Sequence, residues 1–205
     1  MKKLLAISVT FLLSCQTENI EGVWIGQYNS LNINGTKSYH SLNTLIVFDK
    51  KEFTNYVLGQ KHKKQSFEFI RKGNKIVPLS PSHPGFNIES FSEDSLVLSN
   101  PQMEEFNLVY RRYNGNFENK SINISGKRYE NKALQNTYVF EADSTLLVNS
   151  KMGGYWKLKS IHSIDVLELI FSDSTEFMII DSVKSKKIFL TKYSRKLNKM
   201  ILTEY

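Results

Sequence analysis

“FNLVYRRY”, residues 106–113, largely alternates apolar and polar side chains with a period of two. Phe106, Leu108 and Tyr110 share one face of an extended strand, and the intervening residues share the other. The stretch “NKMILTEY” at 198–205 has a similar pattern, 92 residues later (106 to 198). The chain is therefore expected to contain two similar β-rich units.

Further matches between the two halves occur in the same order at nearly the same spacing. The matched positions are Phe48 with Phe140 and Leu98 with Leu190 (92 apart), Ile33 and Gly35 with Ile124 and Gly126 (91 apart), and Trp24 with Phe117 (93 apart). Several matches in sequence order indicate an internal duplication. We predict one unit at 20–113 and a second at 114–205, and whether they form separate barrels or one shared sheet system stays open.

Short apolar or alternating runs, separated by polar turn segments, predict strands throughout both units. The predicted strands are 22–28, 42–48, 53–58, 66–70, 75–79, 86–91, 95–98 and 105–112 in the first unit, and 138–141, 145–149, 155–159, 166–171, 176–181, 187–192 and 199–205 in the second. No stretch after the leader has a helical stripe. About eight antiparallel strands protect their edges by closing into a barrel or by pairing two sheets.

Three stretches of the first unit resemble small lipocalin-like (calycin-like) domains of bacterial lipoproteins. They are “GVW” at 22–24, “FEFIRKGNKIVPL” at 67–79 and “FSEDSLVLS” at 91–99, followed by “FNLVYRRY”. The resemblance implies an all-β fold of two consecutive small antiparallel up-and-down barrels. It also implies that Trp24 plugs one barrel end and that Arg111 or Arg112 packs across its ring. The second unit departs from this pattern, with Phe117 for the tryptophan and Thr203-Glu204 for the arginines.

The first residues have the pattern of a secretory leader. Lys2 and Lys3 precede an apolar run from Leu4 to Leu13, which is much shorter than the roughly 20 residues that a membrane-spanning helix needs. “LLSC”, ending at Cys15, resembles the lipobox of bacterial lipoproteins. The resemblance implies that residues 1–14 are a signal peptide and that 15–19 form a lipidated cysteine with a short tether.

Cys15 is the single cysteine of the sequence, so no internal disulfide can form. The lipobox resemblance implies that it carries a diacylglycerol thioether and acyl chains such as palmitate, with membrane lipid as its partner. Gln16 then favours the outer over the inner membrane of the cell envelope, and the face of that membrane stays open. The alternative is an ordinary buried or free thiol.

Charge and motifs argue against several classes of function. The net charge of +7 falls to +5 without Lys2 and Lys3, and the lysines are scattered, which is poor evidence for nucleic-acid binding. The sequence has no GxSxG, HExxH, P-loop or GxGxxG motif, and none of its four histidines has metal-ligand spacing to another histidine or the cysteine. We therefore expect a protein that is not an enzyme and has no cofactor or metal.

The candidate ligand-binding residues come from the first unit. “PLSPSHPGF” at 78–86 holds three of the four prolines, whereas the second unit has “IFSDSTEF” at 170–177. This loop is either a stiff connection or a rim whose Ser82 and His83 contact a ligand. Aromatic side chains are most simply core, and tyrosine hydroxyls would be the polar groups of any apolar cavity. The candidate set is Tyr28, Tyr39, Phe67, Phe69, Ser82 and His83.

Two functions remain open on these grounds. A barrel of eight strands is just wide enough to be filled by side chains or to hold one small ligand. A hollow barrel predicts a membrane-anchored binding module for a small hydrophobic or amphipathic molecule. Filled barrels predict an envelope accessory protein that binds a protein or polysaccharide partner through its surface. The family resemblance favours the binding module.

Overall fold

The computed structural model describes residues 19–59, 64–103, 105–115 and 122–205. Cys15, His62 and Phe117 lie outside the described residues, and so does the predicted leader. In the described ranges the chain forms strands and no α-helix. No helix in these ranges is long and apolar enough to cross a membrane.

Seventeen strands make up the described part of the chain, and they are labelled in chain order. The first nine are β1 (Gly22–Ile33), β2 (Thr36–Ser41), β3 (Thr44–Phe48), β4 (Glu52–Val57), β5 (Lys64–Lys72), β6 (Lys75–Pro78), β7 (Phe86–Phe91), β8 (Ser95–Ser99) and β9 (Phe106–Arg112). The other eight are β10 (Lys127–Asn131), β11 (Asn136–Phe140), β12 (Thr145–Val148), β13 (Lys151–Ile161), β14 (Ile164–Ile170), β15 (Thr175–Lys184), β16 (Lys187–Lys192) and β17 (Asn198–Glu204). The predicted strands all appear, and β2 and β10 are additional.

The first barrel consists of eight antiparallel strands, β1 and β3 to β9, and closes by pairing β9 with β1. Its interior is packed with apolar side chains, because alternate residues of each strand point inward. The largest of these are Trp24, Phe48 and Phe53, each at most 2% exposed. The second barrel closes in the same order, β10 to β17, around its own core. The predicted fold of two consecutive up-and-down barrels is confirmed.

β1 is long and has a bulge between Gly26 and Tyr28, where its pairing partner on one side changes from β3 to β2. Its first part, Gly22–Ile25, pairs with β3, and its second part, Tyr28–Ile33, pairs with β2 in a hairpin. Both parts pair with β9. The β1–β2 hairpin therefore extends the seam between the first and last strands of this barrel.

The duplication is visible in the strand boundaries. β9 and β17 match residue for residue at an offset of 92 (106 to 198 and 112 to 204), and so do β3 and β11. The predicted match at the first strands is wrong in detail. Trp24 pairs with Ile46, and the residue that pairs with the equivalent Tyr138 is Tyr129 rather than Phe117. Tyr129 is 2% exposed and takes the place of the tryptophan in the second core.

The two barrels pack against each other through their outer faces. Val23 and Leu45 from the first barrel share one apolar cluster with Ile164, Val166 and Ile179 from the second. Ile164 and Val166 are fully buried although they point away from their own barrel interior. This interface places the second barrel beside β1 and β3 of the first.

Candidate ligand-binding cleft of the second barrel

One end of the first barrel is closed by Trp24 and Arg112. The Arg112 guanidinium carbon lies 4.2 Å from the centre of the indole ring, and Trp24 Nε1 donates a 2.8 Å hydrogen bond to the Ile20 carbonyl. Arg112 also donates to the carbonyls of Glu21 and Glu93, at 2.6 and 2.7 Å. The predicted packing of a late arginine across the Trp24 ring is confirmed, and Arg112 is that arginine.

The interior of the first barrel is filled by an aromatic group that includes His83. The centre of the His83 ring lies 4.7 Å from that of Phe67, 4.9 Å from that of Phe86 and 5.3 Å from that of Phe53. The Gly85 N–H donates a 2.9 Å hydrogen bond to His83 Nδ1, and burial lowers the pKa of the imidazole. The proline-rich loop thus inserts a neutral ring into the aromatic core.

Gly85 makes this loop conformation possible. Its φ is +82°, and an added Cβ would lie 2.3 Å from the Ile76 carbonyl oxygen. An L side chain cannot occupy that space without moving the backbone. The loop therefore turns tightly back toward β6, which brings His83 over the barrel interior.

The predicted ligand-binding residues lie in three separate places. Phe67 and Phe69 belong to the filled interior, next to His83. Ser82 is exposed, with its hydroxyl 2.7 Å from that of Ser80. The structure does not bring these residues together with Tyr28 and Tyr39, and a ligand contact at any of the six stays a prediction.

Tyr28 and Tyr39 form a pair on the β1–β2 hairpin. Their ring centres are 5.7 Å apart in an edge-to-face arrangement, and the Arg195 guanidinium lies 4.0 Å from the Tyr39 ring centre. Tyr28 pairs with Val109, whose neighbours Leu108 and Tyr110 pack in the core. The two tyrosines therefore face outward, and Tyr39 contacts Arg195 of the second barrel.

A cleft of about 770 Å³ opens into the second barrel, between the β10–β11 hairpin and β17. We call it the second-barrel cleft. It is lined by Asn131, Lys132, Ala133, Leu134, Tyr138, Leu169, Phe171, Glu176, Met178, Lys187, Lys192, Leu197, Asn198, Lys199, Met200, Ile201 and Thr203. Its volume lies within the range of about 300–1,000 Å³ that is usual for small-molecule sites.

The cleft exists because β10 is short. β10 pairs with β17 at Tyr129–Glu204 and Glu130–Thr203, whereas β1 pairs with β9 as far as Leu31–Phe106. Asn131 ends the strand: its Oδ1 accepts hydrogen bonds from the N–H groups of Ala133 (3.0 Å) and Leu134 (3.2 Å). This Asx turn carries the chain away from β17 and into β11.

The mouth of the second barrel also has a shorter loop. β14 ends at Ile170 and β15 begins at Thr175, and a 2.8 Å hydrogen bond from Phe171 N–H to the Ser174 carbonyl closes the turn. The equivalent connection of the first barrel, between Pro78 and Phe86, carries His83 into the core. The second barrel is thus the open one, although the predicted ligand-binding residues lie in the first, and the plain “IFSDSTEF” loop is the sequence signal for the opening.

The cleft has an apolar floor and a basic rim. Tyr138, Leu169 and Met178 on its floor are members of the second core, so the cleft reaches the barrel interior. Leu134 and Ile201 at its opening are 60% and 47% exposed. The charged lining residues are four lysines and one glutamate, Glu176, whose Oε1 accepts a hydrogen bond from Lys192 Nζ.

No metal centre accompanies the cleft. Among the described residues, no group of three or more histidine, cysteine, aspartate or glutamate side chains is arranged to hold a metal ion. Aliphatic, aromatic and lysine side chains bind apolar and anionic groups, and they are poor ligands for metal ions. The lining thus combines apolar side chains with cationic ones.

Solved structures that resemble part of this chain include two proteins from Bacteroides species. No family model and no curated protein matches the sequence. A lipocalin-like protein from Bacteroides uniformis is 20% identical over 45% of this chain and 97% of its own, with a TM-score of 0.34. An uncharacterized protein from Bacteroides eggerthii is 15% identical over 46% of this chain and 100% of its own, with a TM-score of 0.35.

Proposed function

We propose that this protein is a non-catalytic binding module that takes a small amphipathic ligand in the second-barrel cleft. The observation that supports this most directly is that the cleft reaches core residues such as Leu169 and Met178. An apolar group placed there loses its contact with water, which is worth about 25 cal/mol per Å² of apolar surface buried. Binding is thus driven mainly by the barrel interior.

The polar part of the ligand carries a negative charge in this proposal. The cleft lining holds Lys132, Lys187, Lys192 and Lys199 against Glu176 alone, a formal excess of three positive charges. Such a rim attracts an anion, and the attraction weakens as salt increases. A fatty-acid-like or acidic amphipathic molecule fits both the floor and the rim.

The proposal assigns no catalysis to the cleft. General acid–base chemistry needs a positioned group that can take up or release a proton near neutral pH. Glu176 is the carboxylate among the lining residues, and it is held in an ion pair with Lys192. We therefore assign binding, and the filled first barrel is assigned a supporting role.

We further propose that the protein is anchored to the cell envelope through acylated Cys15, in the outer membrane rather than the inner. Support comes from the lipobox-like “LLSC” and the apolar leader. Cys15→Ala is expected to move the protein from the membrane to the soluble fraction and to abolish acyl labelling. Retention in the membrane fraction would show that the anchor is elsewhere.

Titration with dodecanoate tests the binding proposal. We expect residues 16–205 to bind one dodecanoate per chain in calorimetry, with weaker binding at high salt. Met200→Trp, which fills the cleft lining, is expected to weaken binding at least tenfold. Ile70→Trp is the control, because Ile70 is 42% exposed on the first barrel, outside the cleft. Absence of binding, or equal binding by both variants, would refute the proposal.

A further inference from the structure

The seam beside the cleft leaves part of β17 without a neighbouring strand. The Glu204 N–H donates to the Lys186 carbonyl on the β16 side, and the Tyr205 N–H donates to the Arg128 carbonyl on the β10 side. Main-chain groups of successive strand residues point to opposite sides. Lys199 and Ile201, which alternate with Met200, therefore direct their N–H and C=O groups toward the β10 side.

No described strand pairs with β17 at Lys199 or Ile201 on that side, because β10 pairs with Thr203 and Glu204. We call these main-chain groups the open β17 edge. Two residues there offer two donors and two acceptors, next to an apolar cleft. Unpaired edges of this kind are ready templates for another strand.

The first barrel shows what occupies the equivalent edge. Asn107 and Val109 stand 92 positions before Lys199 and Ile201, and they pair with Ser30 and Tyr28 of β1. A strand segment therefore lies along β9 at the place where the second barrel has its cleft. The same sheet geometry can accept a strand along β17.

We propose that the ligand of the second-barrel cleft is an extended acidic peptide segment that pairs with the open β17 edge. This inference rests on the proposed function, since it names the ligand of the same cleft. The peptide runs antiparallel to β17, places alternate apolar side chains over Leu169 and Met178, and presents its carboxylates to the lysine rim. This mode is strand addition to a sheet edge.

Charge selects this occupant over a second copy of the chain. Pairing of two β17 edges would bring the two copies' Lys199 side chains and lysine rims together, and like charges at close range are unfavourable. An acidic segment instead places carboxylates opposite Lys132 and Lys187. The rim also disfavours a basic segment of the same apolar pattern.

The test compares acetyl-Glu-Leu-Glu-Phe-Glu-Leu-amide with dodecanoate on residues 16–205. We expect the peptide to bind and to compete with dodecanoate. The same peptide, N-methylated at alternate residues to remove the donors that face β17, is expected to bind at least tenfold more weakly. The matching lysine peptide, acetyl-Lys-Leu-Lys-Phe-Lys-Leu-amide, is also expected to bind at least tenfold more weakly.

Hydrogen exchange gives a second readout at the edge itself. The amides of Lys199 and Ile201 are expected to exchange fast in the free protein and at least tenfold more slowly with the acidic peptide, but not with dodecanoate. The amides of Asn107 and Val109 are the internal control, because β1 already pairs with them. They are expected to exchange slowly in every sample.

Ile201→Pro removes one edge donor and is compared with Ile201→Val. The proline variant is expected to bind the peptide at least tenfold more weakly than the valine variant does. If it does not fold, the N-methylated peptide still tests the same hydrogen bonds. This inference is overturned, and the proposed function is not, if dodecanoate binds and the peptide does not. The same follows if the N-methylated peptide binds as tightly as the unmethylated one. Failure of both ligands to bind overturns the proposed function as well.

Discussion

His83 is a titratable ring held among the phenylalanines of the first barrel. Burial lowers its pKa below the ordinary value of 6.5, so the folded state favours the neutral form. A histidine whose pKa is lower in the folded state than in the unfolded state contributes stability that is fully present above the pKa of the unfolded state. This stability is lost as pH falls through the pKa of the folded state. Protonation of Nδ1 also removes the acceptor of the Gly85 N–H.

The free energy of unfolding should therefore decrease as pH falls below about 6.5. We expect His83→Gln to show a smaller decrease than the parent chain over the same interval. Urea unfolding at pH 7.5, 6.5, 5.5 and 5.0 measures this difference. Parallel pH profiles for the two proteins would show that the His83 ring does not titrate on unfolding.

Arg112 holds the Trp24 end of the first barrel through stacking and a fork of hydrogen bonds. Arg112→Lys keeps the charge but loses the planar fork to Glu21 and Glu93, so we expect a loss of about 2 kcal/mol in unfolding free energy. Arg111→Lys is the matched control. Its ion pair with Asp94 is about two-fifths exposed and is expected to contribute under about 1 kcal/mol. Chemical denaturation that gave equal losses would contradict the assigned role of Arg112.

Among the elements, strands with clear alternation were predictable and polar strands were not. β7 and β16 appear with the predicted boundaries, 86–91 and 187–192. β2, “TKSYHS”, is almost wholly exposed, and β10, “KRYEN”, carries three charges, so neither has the apolar period of a strand. Both form because a neighbouring strand supplies their hydrogen bonds, which is tertiary information.

The site was not predictable for the same reason. The aromatic residues and the proline-rich loop of the first unit drew attention because they are unusual in sequence. In the structure Phe67 and His83 fill their barrel, whereas the opening in the second barrel results from how far β10 pairs with β17. Pairing length is set by the turn at Asn131, and the hydrophobic pattern does not encode it.

β9 is paired with β1 at Val109, whereas β17 is not paired with β10 at the equivalent Ile201. We therefore expect proline to destabilise the fold more in β9 than in β17. Val109→Pro removes an N–H that faces β1, whereas Ile201→Pro removes one that faces the open side. We expect Val109→Pro to lose about 2–3 kcal/mol more unfolding free energy than Ile201→Pro. The reason is that it removes a hydrogen bond to β1 and leaves the acceptor on β1 unpaired. Denaturant titration of both variants measures this. Equal losses would mean that the β17 edge is paired.

At the scale of the whole molecule, the two barrels share an apolar interface. Separating them would expose Ile164, Val166 and Ile179, which are at most 2% exposed in the full chain. We expect residues 114–205 alone to unfold cooperatively, because the second core is complete, but at a lower temperature than the full chain. Thermal unfolding by circular dichroism tests this. A fragment without a cooperative transition would show that the second barrel needs the first in order to fold.

We assign the proposed ligand binding to the second barrel and not to the first. The most direct measurement is amide chemical-shift mapping of residues 16–205 during titration with dodecanoate. We expect saturable shifts at Tyr138, Leu169 and Met178, with Phe67 and His83 unchanged. Saturable shifts at Phe67 and His83 instead, or none in either barrel, would contradict it.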